Sequence, residues 1–185
     1  MPVIVSFDVG IKNMSFCVLQ VPEENPKESF TIREWGIMTI EQGATVPETG
    51  ANVIQALDER PYLSEGNFVI IENQPVTKNP KMKTIQVVLL TYFLMKKRLP
   101  ESTIQQVLLL NSALKLKAYV GPTQTLTTTS KSAYIRRKNL VVLYCLHELR
   151  DHPEKLALLK SHKKKDDLSD AFLQALYVVR KSNIF

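Results

Sequence analysis

Cysteine is nearly absent: Cys17 and Cys145 are the only two in 185 residues, and neither has the spacing of a metal finger or redox motif. That excludes a disulfide framework, and both thiols are expected to be reduced and buried in an intracellular protein. The three histidines form no cluster with the cysteines, so a zinc centre is not expected. No apolar run approaches the roughly 20 residues needed to cross a bilayer. The chain also opens directly on a strand-like run, Val3 to Asp8, without a basic signal region or an Arg/Ser-rich transit segment. A soluble protein that stays in the cell that makes it is the expectation.

What is present is positive charge. Lys and Arg number 24 against 18 Asp and Glu, a formal net charge of +6, which points towards a polyanionic partner and to nucleic acid above all. The length suits one domain over residues 1–185 with a substantial core, and no repeat or linker divides it.

Hydrophobic patterning predicts a hairpin of Val3 to Val9 and Met14 to Val21 around Gly10-Ile11-Lys12-Asn13, and a third strand over Phe30 to Ile40. A helix is expected over Ala51 to Leu63, then a short buried strand, Phe68 to Ile71, ending at Glu72. Two prolines break the stretch from Gln74 to Pro80. Met82 to Lys97 reads as a helix apolar on more than one face, and Gln106 to Leu110 as a fifth strand. Gly121 to Ser130 is Thr-rich and loop-like. Helices follow over Ser132 to Leu149, Pro153 to Lys160 and Asp166 to Lys181. The order predicts an α/β fold with a mixed five-stranded sheet flanked by helices.

Against this frame the acids stand out. Asp8 interrupts a strand of bulky apolar residues, and burying a carboxylate costs several kcal/mol unless it is paired or binds a cation. A turn-capping Asp at a strand end is the plainer alternative. Glu72 repeats the anomaly after Val69-Ile70-Ile71. Asp166, Asp167 and Asp170 open the last helix, whose apolar stripe is Leu168, Ala171, Phe172, Ala175, Leu176 and Val179. Acids in a first turn offset the helix dipole, which accounts for Asp166. At about 100° per residue, Asp167 lies at the edge of the stripe and Asp170 about 60° from it, so both can face the sheet rim. Asp8, Glu72, Asp167 and Asp170 together suit a hard cation such as Mg²⁺, which takes oxygen ligands and leaves places for water and phosphate. Two such ions could serve phosphodiester hydrolysis.

Lys138 falls within an apolar stripe of Ile135, Val142, Cys145 and Leu149, where it either snorkels to solvent or reaches a phosphate near the acids. Lys115, after the fifth strand, is a second such candidate. Lys131, Arg136, Arg137, Lys160, Lys163, Lys164 and Lys165 read as contacts to a nucleic-acid backbone, with a solvated basic face as the alternative. Tyr119 and Tyr134 are candidates for stacking on an unpaired base.

Phe7-Asp8-Val9-Gly10-Ile11-Lys12-Asn13-Met14-Ser15, Ile71-Glu72-Asn73-Gln74-Pro75 and Lys164-Lys165-Asp166-Asp167-Leu168-Ser169-Asp170-Ala171 resemble, in order and spacing, the poxvirus-type Holliday junction resolvases. These belong to the RuvC-like branch of the RNase H superfamily, and the resemblance runs nearly end to end. It implies an RNase H-like fold and a Mg²⁺-dependent homodimeric endonuclease, Mn²⁺ substituting, that makes paired symmetrical nicks in four-way and other branched DNA. Asp8, Glu72, Asp167 and Asp170 match the family's metal-binding acids, and Lys115 and Lys138 its active-site lysines. The helix Met82 to Lys97 suits a dimer interface. The expected role is resolving recombined or replicated viral genomes, and the expected place the host cytoplasm, since the family's mitochondrial members carry a transit segment.

Three other readings compete. Actin-like ATPases also place Asp-x-Gly after a strand, but they need a second glycine-rich phosphate loop that a chain with six glycines does not show. A DNA-binding scaffold without catalysis conflicts with four acids beside phosphate, which weaken binding unless a metal neutralises them. A nuclease of RNA–DNA hybrids, flaps or other branches keeps the same chemistry and differs only in substrate.

Overall fold

The computed structural model describes residues 1–24, 27–76, 79–122 and 132–181. Five strands, β1 (Val3–Asp8), β2 (Asn13–Gln20), β3 (Thr31–Thr39), β4 (Phe68–Asn73) and β5 (Gln106–Asn111), form one sheet in the order β3-β2-β1-β4-β5. The β1–β2 and β2–β3 pairs are antiparallel, whereas β1–β4 and β4–β5 are parallel. Helices α1 (Val46–Asp58) and α2 (Pro80–Lys97) cover one face. On the other lie α3 (Ala133–Glu148), α4 (Pro153–Ser161) and α5 (Lys165–Lys181). The mixed five-stranded sheet flanked by helices is the expected fold class.

Side chains alternate across the pleat, and this decides where the acids go. On β1, Val3, Val5 and Phe7 pack towards α1 and α2, while Ile4 packs towards α5 and Ser6 meets Gln174 of α5. On β4, Val69 and Ile71 take the first side, and Phe68 and Ile70 the second. Asp8 and Glu72 continue the second series. Because β1 and β4 are parallel, with Phe7 opposite Ile71, the two carboxylates emerge side by side at the carboxyl ends of neighbouring strands, facing α5.

α5 is buried almost all round, since the sheet lies on one side and α3 on the other. Its expected stripe is buried, and so are Leu173, Gln174 and Val178. Its first turns are pinned: Ser15 Oγ donates to the Asp167 carbonyl (2.6 Å) and Trp35 Nε1 to the Leu168 carbonyl (2.9 Å). Deeper in the sheet the Gln174 amide donates to Ser6 Oγ and to the Phe7 carbonyl, both at 3.0 Å.

Two elements differ from expectation. α1 begins at Val46 rather than Ala51, because Thr45 and Glu48 form a reciprocal capping box, and it ends at Asp58. Pro61 then opens a separate 3₁₀ turn, Pro61–Ser64. On α3 the buried residues are Val141, Tyr144 and Cys145, while Ile135, expected in the stripe, is exposed. Much of the Thr-rich stretch, residues 123–130, lies outside the described residues.

Candidate functional site

A second 3₁₀ segment, Ser112–Ala118, follows β5 and turns Lys115 inward. The Lys115 ammonium lies 2.9 Å from Asp170, 3.1 Å from Glu72 and 3.7 Å from Asp8. Three acids from β1, β4 and α5 thus converge on one buried lysine, whose side chain is 6 % exposed. They form the floor of a cleft of about 590 Å³, also lined by Gly10, Lys12, Asn13, Tyr134, Arg137, Lys138, Lys164 and Asp167. Gly10 is required at its lip, because a Cβ there would stand 1.8 Å from the Asn13 carbonyl oxygen.

The electrostatics follow from burial. Desolvation raises the Asp8 carboxyl well above its ordinary range, and the neighbouring Glu72 charge adds to the rise. Desolvation likewise pushes Asp170 up to about 6 although Lys115 pulls the other way. For Glu72, burial is outweighed by hydrogen bonds from Asp8, Lys115 and Gln74, which hold it below its ordinary value. Lys115 is desolvated too, yet the three carboxylates keep its ammonium charged. Asp8 and Glu72 are thus shifted in opposite directions although they stand side by side.

Among the described residues, no group of three or more His, Cys, Asp or Glu side chains already stands as a ligand set. The acids turn instead onto Lys115. One buried oxygen, Asp170 Oδ1, still accepts no well-directed hydrogen bond even with the ammonium 2.9 Å away. Three crowded carboxylates share a single ammonium, and one of their buried oxygens lacks a well-directed hydrogen bond, so the set favours further positive charge. A hard, oxygen-seeking divalent cation fits such a donor set.

The other predicted residues divide. Asp167 lies at the cleft rim, 3.4 Å from Lys164 Nζ, and does not reach Lys115's cluster of contacts. Lys138 lines the cleft with its ammonium bonded to Asp166 and lying 5.3 Å from the Tyr134 ring centroid. That bond raises Lys138 and holds the partly buried Asp166 below its ordinary value. Arg137 and Lys164 border the same opening, whereas Arg136, Lys160 and Lys163 are exposed away from its lining. The Lys165 ammonium is turned back onto the His162 carbonyl at 3.0 Å. Lys131 lies outside the described residues. Tyr119 is buried and stacked on Tyr144 with centroids 4.0 Å apart, which removes it as a base-stacking platform; Tyr134 is exposed at the cleft. Sequence reasoning passed over Lys12 as a cleft cation, although it sits in the first motif, and Gln74, Gln86 and Gln174, polar residues in otherwise apolar surroundings.

Comparison with known proteins agrees with this architecture. Residues 4–87 match the family model described as mitochondrial resolvase Ydc2 / RNA splicing MRS1, a segment that contains Asp8 and Glu72. An uncharacterized protein, L451, of Acanthamoeba polyphaga mimivirus is 38 % identical over 122 residues, covering 59 % of this chain and 28 % of that protein. The chain thus spans little more than a quarter of that relative's length. Among solved structures, the fowlpox virus resolvase in complex with Holliday junction DNA superposes with a TM-score of 0.64 at 18 % identity, over 96 % of each chain. The yeast mitochondrial Holliday junction resolvase Ydc2 gives 0.61 at 20 % identity over 96 % of this chain and 78 % of the other. RuvC of T. thermophilus with a Holliday junction substrate gives 0.57 at 12 % identity over 97 % and 96 %. These likenesses show a RuvC-like fold of the RNase H type, in accord with the resemblance carried by the three motifs.

Proposed function

We propose that this chain, built on the RuvC-like fold, is a divalent-metal-dependent endonuclease that resolves Holliday junctions and related branched DNA. The observation that carries the reading is the convergence of Asp8, Glu72 and Asp170 on one point at the floor of a cation-rimmed cleft. In this reading Asp8, Glu72 and Asp170, with Asp167 from the rim, hold Mg²⁺ or Mn²⁺. The bound ions, two per site, would supply activation of the attacking water and neutralisation of charge on the scissile phosphate. Lys138, Arg137, Lys164 and Lys12 hold the DNA backbone by its phosphate oxygens. Lys115 and Lys138 offset the negative charge that builds on those oxygens as the bond to the 3′ oxygen breaks. Tyr134 offers an exposed ring to a base opened at the branch point.

Paired nicks need two sites at a fixed separation, so the active species is a homodimer. An apolar groove lined by Ile54, Val87, Val88, Met95 and Leu99 lies on the outer side of α1 and α2 and supports this assembly. Recombination and replication intermediates are then the natural substrates. Among the described residues no helix is long and apolar enough to cross a membrane.

Cleavage of a synthetic four-way junction in Mg²⁺, beside linear duplex, RNA–DNA hybrid and flap, tests the proposal, with Asp170→Asn as the blank for contaminating nuclease. Symmetrical nicks in the junction that vanish in the variant are expected. Preference for hybrid or flap would remove the resolvase assignment and keep the metal site. No cutting of any substrate by folded protein in Mg²⁺ or Mn²⁺ would leave only a nucleic-acid-binding protein.

A further inference from the structure

The β4–β5 ladder ends at Asn73 opposite Asn111, and the next residue turns away from it. The Gln74 backbone N–H donates to Gln86 Oε1 of α2 at 2.7 Å. Its side-chain amide reaches back to Glu72 Oε2 at 2.8 Å. Gln74 thus follows the last strand residue, and its side chain returns past Asn73 to Glu72. The other Glu72 oxygen, Oε1, is the one that meets Lys115.

Gln86 is 1 % exposed on a helix face otherwise made of Ile85, Leu89 and Phe93. A buried amide among such residues is costly unless it is bonded. Its oxygen also accepts from Lys83 Nζ at 3.2 Å, and Lys83 in turn touches Asn73 Oδ1 at 3.4 Å. Packing alone would be met by Leu at position 86. The polar atom serves the chain just beyond Glu72.

We infer that Gln74, braced through its backbone by Gln86, is a positioning residue that occupies one oxygen of Glu72 and presents the other to the cleft. This rests on the reading of Glu72 as a metal-holding acid. A carboxylate held at one oxygen loses the freedom to rotate away, and outer groups of this kind change metal affinity by roughly 10–100-fold. α2 thereby does more than cover the sheet, because its register sets the orientation of an acid on the opposite face.

The test is direct Mn²⁺ binding by calorimetry, with thermal unfolding of the same samples. Gln74→Leu should weaken Mn²⁺ binding by about 10-fold or more while shifting Tm only slightly, and Gln86→Leu should act in the same direction to a smaller extent. On a Glu72→Gln background, Gln74→Leu should add less than about 3-fold, because the group it orients is gone. In junction cleavage the loss should appear in kcat, with KM little changed. If Gln74→Leu does not fold, Gln74→Met, closer in length, takes its place. Unchanged Mn²⁺ affinity in a folded Gln74 variant overturns the inference and leaves the proposed function standing, as does a full loss on the Glu72→Gln background. Absence of Mn²⁺ binding by the wild-type protein overturns both.

Discussion

Replacing Lys115 by methionine removes the ammonium on which, among the described residues, Asp8, Glu72 and Asp170 converge, and keeps a side chain of similar length. Its side chain is 6 % exposed, and those of the acids are 17 %, 10 % and 19 %. Breaking a buried ion pair by deleting one partner costs about 3–5 kcal/mol. Here the acids open onto a cleft and can take up protons, so the lower end applies, about 3 kcal/mol. For a chain of this size each kcal/mol moves Tm by roughly 2–4 °C, so Lys115→Met in EDTA should melt about 6–12 °C below the wild type. Mg²⁺ should reverse much of that loss. At a free concentration about 100-fold above its Kd, a ligand of the folded state adds about 2.7 kcal/mol. In the wild type the Lys115 ammonium already neutralises part of the carboxylates' charge, so its Tm should rise less. The assay is thermal unfolding of both proteins with and without a Mg²⁺ titration, followed by cleavage, which should stay low in the variant. A variant that melts within about 2 °C of the wild type in EDTA, or whose Tm rises no more with Mg²⁺, would refute the reading that Lys115 neutralises the three acids in the metal-free protein.

Arg180 makes a two-pronged pair with Glu148 at 2.7 and 2.8 Å and donates to the Ala118 carbonyl at 2.9 Å, so it ties α3 to the 3₁₀ segment that carries Lys115. Arg180→Ala should cost about 3–5 kcal/mol in urea unfolding, and a loss under 1 kcal/mol would contradict that role. Burial pushes the Cys145 thiol up to about 12 and Cys17 well above its ordinary value. Since the thiolate is the reactive form and is disfavoured, both should resist a disulfide reagent at pH 8 in native protein and react at once in guanidinium. Met95 is 66 % exposed in the outer groove of α2. Met95→Glu should shift sedimentation towards monomer and abolish paired nicking while leaving monomer stability within about 0.5 kcal/mol, since surface substitutions usually fall in that range.

The acids on strands were legible because a carboxylate set in an apolar run is costly to bury unless it is paired or bound. Asp8 and Glu72 each stand at the end of an apolar run, which marks them in the sequence, but only the parallel register of β1 and β4 puts them on one face. Lys115 was weaker as a candidate for a physical reason. It lies in a 3₁₀ segment of Ser112–Ala118, too short to show a hydrophobic period, and only the tertiary fold brings it under the acids. α1 was misplaced although its signal, Thr45 three residues before Glu48, stands in the chain. The Tyr119 error was of another kind. An aromatic next to a basic stretch suits stacking on a base equally well as stacking on Tyr144, and only the packing decides.

Helical phase set Asp167 and Asp170 apart from Asp166 but did not separate those two from each other. At about 100° per residue, Asp166, Asp167 and Asp170 spread over an arc that a modest rotation of the helix would reassign. That rotation is fixed by bonds outside the helix pattern: Ser15 and Trp35 hold the carbonyls of Asp167 and Leu168, and Gln174 is locked into β1. With these in place Asp170 points at Lys115, Asp167 stays at the rim beside Lys164, and Asp166 is given to Lys138. The division of labour among three neighbouring acids is therefore a property of how α5 docks on the sheet. A change at Trp35 or Gln174, remote from any phosphate, should disturb the site by turning the helix.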